Sequence, residues 1–294
     1  MPTDSARPTR APEPLPIGVF ARTFPGQTAD LVFSAIARRG IGDAQFNLSC
    51  VGLETVPDRI PPDVIAQIAG KSRHYQISIS ALSGTCNLVH PDLALRTLYV
   101  TRLAQLADVC DSLAIPVLTL ATGTRDPDNL WSPHPDNQSA TALDDLRHSL
   151  HALLDATVGT RVTLAFEPET ANVIQTADQA AALLHEFHSD RLGVVLDAAN
   201  LLGDVPASQQ AAVIAHAATV LRGRVALAHA KDCDDTRHVV APGKGVIDFA
   251  GYLTALRNLA GYTGPVIMHG LAPADVPAAL THLTAARASA LAPP

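Results

Sequence analysis

The sequence predicts one α/β domain folded as a (β/α)8 TIM barrel, and three observations support that prediction. Short apolar runs alternate with longer amphipathic segments through eight cycles from Ile17 onward. Each cycle spans about 32 residues, the usual size of a strand followed by its helix. The last four runs each end in an acidic residue or a histidine, as expected where strand ends converge on the functional face of a barrel.

The apolar runs are typical of buried parallel strands because they are short, rich in aliphatic residues and bounded by polar turns. Bulky and small side chains alternate along the run 162–166, so its bulky face suits packing against helices. The other face ends in Glu167, a charge that needs a partner if it is buried. The eight predicted strands are residues 17–20, 43–48, 76–81, 116–121, 162–166, 192–196, 225–229 and 265–268.

The segments between the strands predict helices. Apolar side chains recur at helical spacing in residues 92–113, and residues 143–154 repeat the pattern. Asp248 follows a glycine-rich turn and is a candidate N-cap for a helix that starts at Phe249. That turn, residues 243–245, lacks the length and the trailing residues of a phosphate-binding P-loop.

The main alternative fold, a doubly wound open sheet, would most often carry a glycine-rich loop after its first strand. Residues 21–26 follow the first strand and lack that fingerprint. No linker interrupts residues 16–290, which predict a single barrel domain, and the Pro-rich residues 1–15 predict a disordered tail. The longest loop, residues 121–139, would lie over the C-terminal mouth of the barrel.

Composition and charge argue against several classes of protein. The net charge of −7 disfavours a nucleic-acid-binding protein, which normally shows a basic surface. No run approaches the roughly 20 apolar residues of a membrane span, so no membrane partner is expected. The four cysteines form no C-x-x-C pair, and the N-terminus lacks the apolar core of a secretory signal. A reduced, cytoplasmic enzyme is therefore expected.

Four side chains of metal-ligating type stand at the ends of the last four strands: Glu167, Asp197, His229 and His269. They share the parity that points into the barrel, and neighbouring strands lie only about 4.8 Å apart. One such residue alone is more often structural, but four at successive strand ends favour a metal centre. Two carboxylates and two imidazoles suit one divalent ion, Mn²⁺, Zn²⁺, Co²⁺ or Fe²⁺, better than Ca²⁺ or Mg²⁺.

Seven stretches in chain order make the chain resemble the xylose-isomerase-like barrel superfamily, in particular its sugar phosphate isomerases and epimerases. The resemblance implies one divalent metal held by residues of strands five to eight, with Glu167, Asp197 and His229 on the first three ligand positions. It also implies a small carbohydrate substrate and association into a homo-oligomer. The stretches are ISALSGTCNLVHPD (79–92), TLATGTRDPDNLW (119–131), TLAFEPE (163–169), VVLDAANL (194–201), LAHAKD (227–232), PGKGVIDF (242–249) and PVIMHGL (265–271).

The fourth ligand position departs from the pattern that the resemblance implies, because His269 stands where most isomerases of the superfamily carry a second glutamate. A carboxylate can bind metal through one oxygen and act as a base through the other, whereas a metal-bound imidazole offers only an N–H. Either Glu167 is then the single base, or His269 stays off the metal and works as an acid or base. Lys231 keeps the inward parity of His229 and could hold a substrate oxygen or neutralise the carboxylates.

Other polar or aromatic residues near the predicted mouth are candidates for substrate binding. For each of them, ordinary loop hydrogen bonding or solvation is a close alternative. Asn200 stands three residues after Asp197, where related enzymes often carry a histidine that touches substrate. The candidates are Gln45, Asn47, Asn87, His90, Arg125, Trp131, Glu169, Asn200, Arg237 and Lys244.

The predicted function is a metal-dependent isomerase, or less favourably an epimerase, of a sugar, sugar phosphate or related polyol. Glu167 would remove a proton next to a metal-polarised oxygen and give an enediolate. The first alternative is a lyase or dehydratase acting on a keto-sugar or glycoside, which the unlike pair Glu167 and His269 also fits. An abasic-site endonuclease is disfavoured because Asn200 replaces a histidine ligand and the chain is acidic. A non-catalytic ligand-binding barrel is the last alternative.

Overall fold

Eight parallel strands close into a barrel in the computed structural model, which describes residues 14–202 and 205–291. Each strand pairs with its neighbours in sequence, and the last strand pairs with the first through Ile17 and Val266. The (β/α)8 fold and its eight predicted strands are confirmed. The strands are β1 (Ile17–Phe20), β2 (Asp43–Phe46), β3 (Ser78–Ser83), β4 (Val117–Ala121), β5 (Thr163–Glu167), β6 (Leu192–Asp197), β7 (Val225–Ala230) and β8 (Val266–Met268).

Helices follow the strands and cover the outside of the barrel. The predicted N-cap Asp248 accepts a hydrogen bond from Gly251 N at 3.1 Å. Asp92, at the start of the predicted helix 92–113, also caps its helix, accepting a hydrogen bond from Ala94 N at 2.8 Å. The helices are α1 (Ala29–Ala37), α2 (Pro62–Tyr75), α3 (Leu93–Ser112), α4 (Ala140–Ala156), α5 (Ala177–Phe187), α6 (Ala198–Leu202), α7 (Ala207–Val220), α8 (Phe249–Asn258) and α9 (Val276–Leu291).

The alternation along β5 separates two layers of core. Leu164 and Phe166 are fully buried in the large layer between strands and helices. Ala165 lies in the small layer inside the barrel, with Val195, Leu227 and three other side chains of neighbouring strands. Because Glu167 has the same parity as Ala165, the strand delivers its carboxylate to the open end of the barrel interior.

A hairpin that the sequence did not predict projects from the end of β7. Residues 232–233 pair antiparallel with residues 239–240. The buried carboxylate of Asp232 accepts backbone hydrogen bonds from Cys233, Gly243, Gly245 and Ile247 at 2.9 to 3.1 Å. A Cβ at Gly245 would come within 2.2 Å of the Cys233 carbonyl oxygen, so this turn requires glycine. The predicted turn before α8 is thus built around one carboxylate.

The predicted disordered tail falls largely outside the described residues, because residues 1–13 are not among them. Leu15, at the end of that predicted tail, is buried and its carbonyl oxygen accepts a hydrogen bond from Arg287. The barrel therefore begins to pack one residue before the predicted boundary. In the part of the chain that is described, no helix has the length and apolar character that crossing a membrane requires.

Candidate active site

Three predicted ligands converge at the C-terminal mouth of the barrel. Glu167 ends β5, Asp197 ends β6, and His229 lies on β7 directly opposite Asp197 in the strand register. His229 Nδ1 is 3.3 Å from Glu167 Oε1 and 3.7 Å from Asp197 Oδ2. One ligand atom from each side chain lies within 4.8 Å of the others, so the three residues form a group that could hold a metal ion.

The hydrogen bonding of this group fits a metal. Asp197 Oδ2 and His229 Nδ1 are buried, and neither makes a hydrogen bond within residues 14–202 and 205–291. Leaving buried polar atoms unpaired is costly, and a divalent cation between them would satisfy both. The two carboxylates with one imidazole form a donor set that transition metals accept, with positions left open for other ligands.

Electrostatics within the group are strongly coupled. Burial opposes the charged form of His229, but the carboxylates of Glu167 and Asp197 outweigh it and raise the pKa of His229 to about 9. Burial likewise opposes ionisation of Asp197, but Lys231 and His229 lower its pKa to about 2. Without a metal, the group is therefore held together at neutral pH by an imidazolium between two carboxylates.

His269, the fourth predicted ligand, lies outside this group. His269 stands two residues beyond Ile267, the register partner of His229, and its buried Nδ1 makes no hydrogen bond among the described residues. Its ring stacks between Phe20 and His229, at centroid distances of 4.8 and 4.9 Å. Burial and the nearby His229 charge lower the pKa of His269 to about 4, so this imidazole is neutral at physiological pH.

Lys231 and Asn200 tie the two carboxylates together. Lys231 Nζ lies 3.3 Å from Asp197 Oδ2 and also donates to Asn200 Oδ1. Asn200 Nδ2 in turn donates to Glu167 Oε1 at 2.8 Å. Burial opposes the charge on Lys231, but the neighbouring carboxylates raise its pKa above the usual value. Asn200 therefore supports the group from behind, and Lys231 balances its negative charge.

A cavity of about 290 Å³ opens above the group. Eight predicted site residues line it: Gln45, Asn47, Trp131, Glu167, Glu169, His229, Lys231 and His269. A larger cavity of about 790 Å³ lies at the opposite, N-terminal end of the barrel, among residues such as Ser78, Val117 and Thr163. Active sites of TIM barrels lie at the C-terminal face, where the metal-type group is also found, so the smaller cavity is the candidate active site.

Six predicted substrate contacts do not line this cavity: Asn200, which instead donates to the Glu167 carboxylate, and five others. Asn87, His90, Arg125, Arg237 and Lys244 instead make contacts that brace loops. In that order, their partners are Thr124 O (2.8 Å), Pro127 O (3.1 Å), the Asp145 carboxylate (2.6 Å), Val205 O (2.8 Å) and the Asp275 carboxylate (2.6 Å). Because sequence spacing does not show these partners, it could not separate loop bracing from substrate binding.

Several lining residues were missed by the sequence analysis. Arg22 follows β1 by two residues, is exposed and lines the cavity rim, and its side chain has no ion-pair partner among the described residues. Thr85 and Asn172 also line the cavity from the loops after β3 and β5. Polar residues at the ends of strands five to eight were considered as site residues. The same search at the end of β1 would have found Arg22.

Comparison with known proteins identifies the family. A family model described as xylose isomerase-like TIM barrel matches residues 41–286, and no curated protein matches the chain. Among solved structures, 3-keto-D-glucoside 4-epimerase from E. coli aligns with a TM-score of 0.73 and 15% identity, covering 92% of this chain and 99% of that one.

Two further solved structures share the fold. A xylose isomerase domain protein from Planctomyces limnophilus has a TM-score of 0.70 and 19% identity, covering 93% of this chain and 97% of that one. D-allulose 3-epimerase from Methylomonas sp., solved with D-allulose, has a TM-score of 0.67 and 16% identity, covering 95% and 96%. The family model spans most of the chain, and the protein therefore belongs to the xylose isomerase-like TIM barrel family.

Proposed function

We propose that the protein is a divalent-metal-dependent isomerase of a small sugar or sugar derivative, acting by proton abstraction next to a carbonyl group. The observation behind this proposal is the convergence of Glu167, Asp197 and His229 beneath an open cavity, with two buried atoms that make no hydrogen bond among the described residues. Two solved structures with the same fold are sugar epimerases by name, which supports a sugar substrate. Mn²⁺, Zn²⁺, Co²⁺ and Fe²⁺ suit this donor set.

Glu167 is the proposed base. Its Oε1 faces His229 and accepts the Asn200 hydrogen bond, whereas Oε2 has no hydrogen-bond partner among the described residues. One carboxylate oxygen is thus committed to the metal centre, and the other is available to take a proton. The bound metal supplies polarisation of a substrate oxygen, which acidifies the neighbouring C–H group.

The cavity suits a small polyhydroxylated substrate. Its volume of about 290 Å³ is at the lower end for ligand pockets. Asn47, Thr85 and Asn172 supply amide and hydroxyl groups to the lining, which can pair with sugar hydroxyl groups. The half-exposed indole of Trp131 supplies an apolar surface on which a sugar ring can pack.

The charge of the cavity favours a substrate with an anionic substituent. Arg22 and Lys231 share the site with the carboxylates of Glu167, Glu169 and Asp197, which leaves one net negative charge when these five are ionised and His229 is neutral, as a metal ligand must be. A divalent metal would turn this into one net positive charge, and Arg22 is the cation of the cavity that has no ion-pair partner among the described residues. We therefore extend the proposal to sugar phosphates and sugar acids, with Arg22 as the residue that pairs with the anionic group.

Epimerisation is a second candidate, because Glu169 places another carboxylate in the cavity lining, two residues beyond Glu167. It is half-buried, and burial raises its pKa. Inversion at a carbon requires a second group that can exchange protons. Glu169 could supply it in place of the second glutamate, whose position in this chain is occupied by His269.

Deuterium exchange tests the proposal without knowledge of the product. Protein loaded with Mn²⁺ or Zn²⁺ is incubated in D₂O with a panel of ketoses, their phosphates and sugar acids, and the C–H next to the carbonyl is followed by NMR or mass spectrometry. Metal-dependent exchange that is lost in Glu167→Gln supports proton abstraction. Metal binding with no exchange on any compound would favour the non-catalytic barrel, and loss of water or an alcohol would favour the lyase.

A further inference from the structure

We propose that Gln45 is a positioning residue that fixes the orientation and tautomer of His229, so that Nδ1 faces the metal. This inference rests on the proposed metal centre, but it concerns a contact present in the protein itself. Sequence analysis placed Gln45 among the candidate substrate contacts, and it does line the cavity.

The contact crosses the barrel interior from β7 to β2. His229 Nε2 lies 2.7 Å from Gln45 Oε1, and both side chains are buried, at 2% and 4% relative exposure. An amide oxygen only accepts hydrogen bonds, so Nε2 must carry the proton. A neutral His229 then has its lone pair on Nδ1, the atom that lies beside Glu167 and Asp197.

A second hydrogen bond holds the Gln45 amide in place, since Gln45 Nε2 donates to Ser83 Oγ, at the end of β3, at 3.1 Å. A hydroxyl group can donate or accept, so this bond fits either orientation of the amide. His229 selects the orientation, because its Nδ1 faces the carboxylates of Glu167 and Asp197. A metal bound to Nδ1 leaves the proton on Nε2, and Gln45 Oε1 is the atom that accepts it.

The amide also suits the charge of the site. Metal-ligating histidines usually donate their second N–H to a carboxylate, carbonyl or water, which fixes the ring and makes it a better ligand. Glu167 and Asp197 already place two carboxylates here. Gln45 supplies the acceptor without adding a third negative charge to the group.

Metal titration tests this role. The dissociation constant for Zn²⁺ and Mn²⁺ is measured calorimetrically for the wild type, Gln45→Met, Gln45→Glu and Thr119→Val. Thr119 is the control because it is a buried residue of β4 that lines the same cavity. We expect Gln45→Met, which keeps the length of the side chain but loses the acceptor, to bind metal about 10- to 100-fold more weakly. Gln45→Glu restores an acceptor and should recover the affinity, and Thr119→Val should bind like the wild type.

Two outcomes overturn the inference, and they differ from failure of the proposed function. Equal metal affinity in Gln45→Met, with only the substrate KM changed, would make Gln45 a substrate contact. Long-range ¹H–¹⁵N spectra of the Zn²⁺-loaded wild type need no variant, and metal on Nε2 of His229 would also refute the role. Absence of metal binding by the wild type would instead overturn the proposed function and, with it, this inference.

Discussion

The two sides of the barrel mouth differ in how their strand-end residues are arranged. On the β5 to β7 side, Glu167, Asp197 and His229 meet in one buried group. On the β8 to β1 side, His269 stacks against Phe20 outside this group, and Arg22 is exposed at the rim. His229 and His269 share inward parity, but only His229 belongs to the group. Side-chain parity therefore shows which residues face the interior, not which of them meet at one point.

The largest expected effect tests the base on the β5 side. Glu167→Gln keeps the shape of the side chain but removes the group that accepts a proton, so deuterium exchange should fall by about 10²- to 10⁴-fold. Glu169→Gln is the matched control, since it alters a second carboxylate in the same cavity. A larger loss in Glu169→Gln than in Glu167→Gln would move the base to Glu169.

The comparison of the two sides is tested most directly by the two histidines. His229→Ala should weaken metal binding by more than about 100-fold, because it removes a metal ligand itself and not a residue that only positions a ligand. His269→Ala should leave the metal affinity within about threefold of the wild type, since its ring lies outside the group. Calorimetric titration measures both. Similar losses in the two variants would show that His269 also binds the metal.

Metal binding by the β5 to β7 side should depend on pH. The metal must displace a proton from His229, whose pKa is raised to about 9, so the affinity should rise about tenfold per pH unit below that value and then level off. Metal-free protein should show the opposite trend. Its raised His229 pKa stabilises the fold fully below pH about 6.5, and this contribution is lost as the pH rises through about 9.

Metal titrations from pH 6 to 10 and melting curves of the metal-free protein measure the two trends. Their opposite signs distinguish His229 from a general effect of pH on the fold, which would shift both in the same direction. A pH-independent metal affinity would show that the imidazole is already neutral in the metal-free protein.

The smallest expected effect concerns the rim on the β1 side. Arg22→Gln should raise the KM for an anionic sugar by roughly tenfold, corresponding to about 1.4 kcal/mol for one charged hydrogen bond, and leave a neutral sugar unchanged. Arg38→Gln, an exposed arginine in the chain segment after α1, is the control. Steady-state kinetics with each sugar and its phosphate measure the difference. Equal changes for both substrates would assign Arg22 to the shape of the rim.

Much of the fold followed from periodicity. Strand β5 shows why the strands could be predicted. A parallel strand is buried on both faces, so it appears in the sequence as a short apolar run. The hairpin 232–240 was not predicted, because each of its strands is only two residues long and carries no period. Its shape depends on Asp232 collecting four amide groups, which is a property of the folded chain.

The sequence by itself determined the barrel, its eight strands and three side chains that converge at its mouth, because alternation along a strand is a local property. Only the tertiary structure decided that His269 lies outside the group of Glu167, Asp197 and His229, that Gln45 meets His229 across 184 residues of sequence, and that Arg125 pairs with Asp145. The physical reason is that side-chain distances and hydrogen-bond partners depend on the register between strands and on how loops and helices pack around them. Register arises from the packing of the whole barrel and leaves no trace in the spacing of one segment.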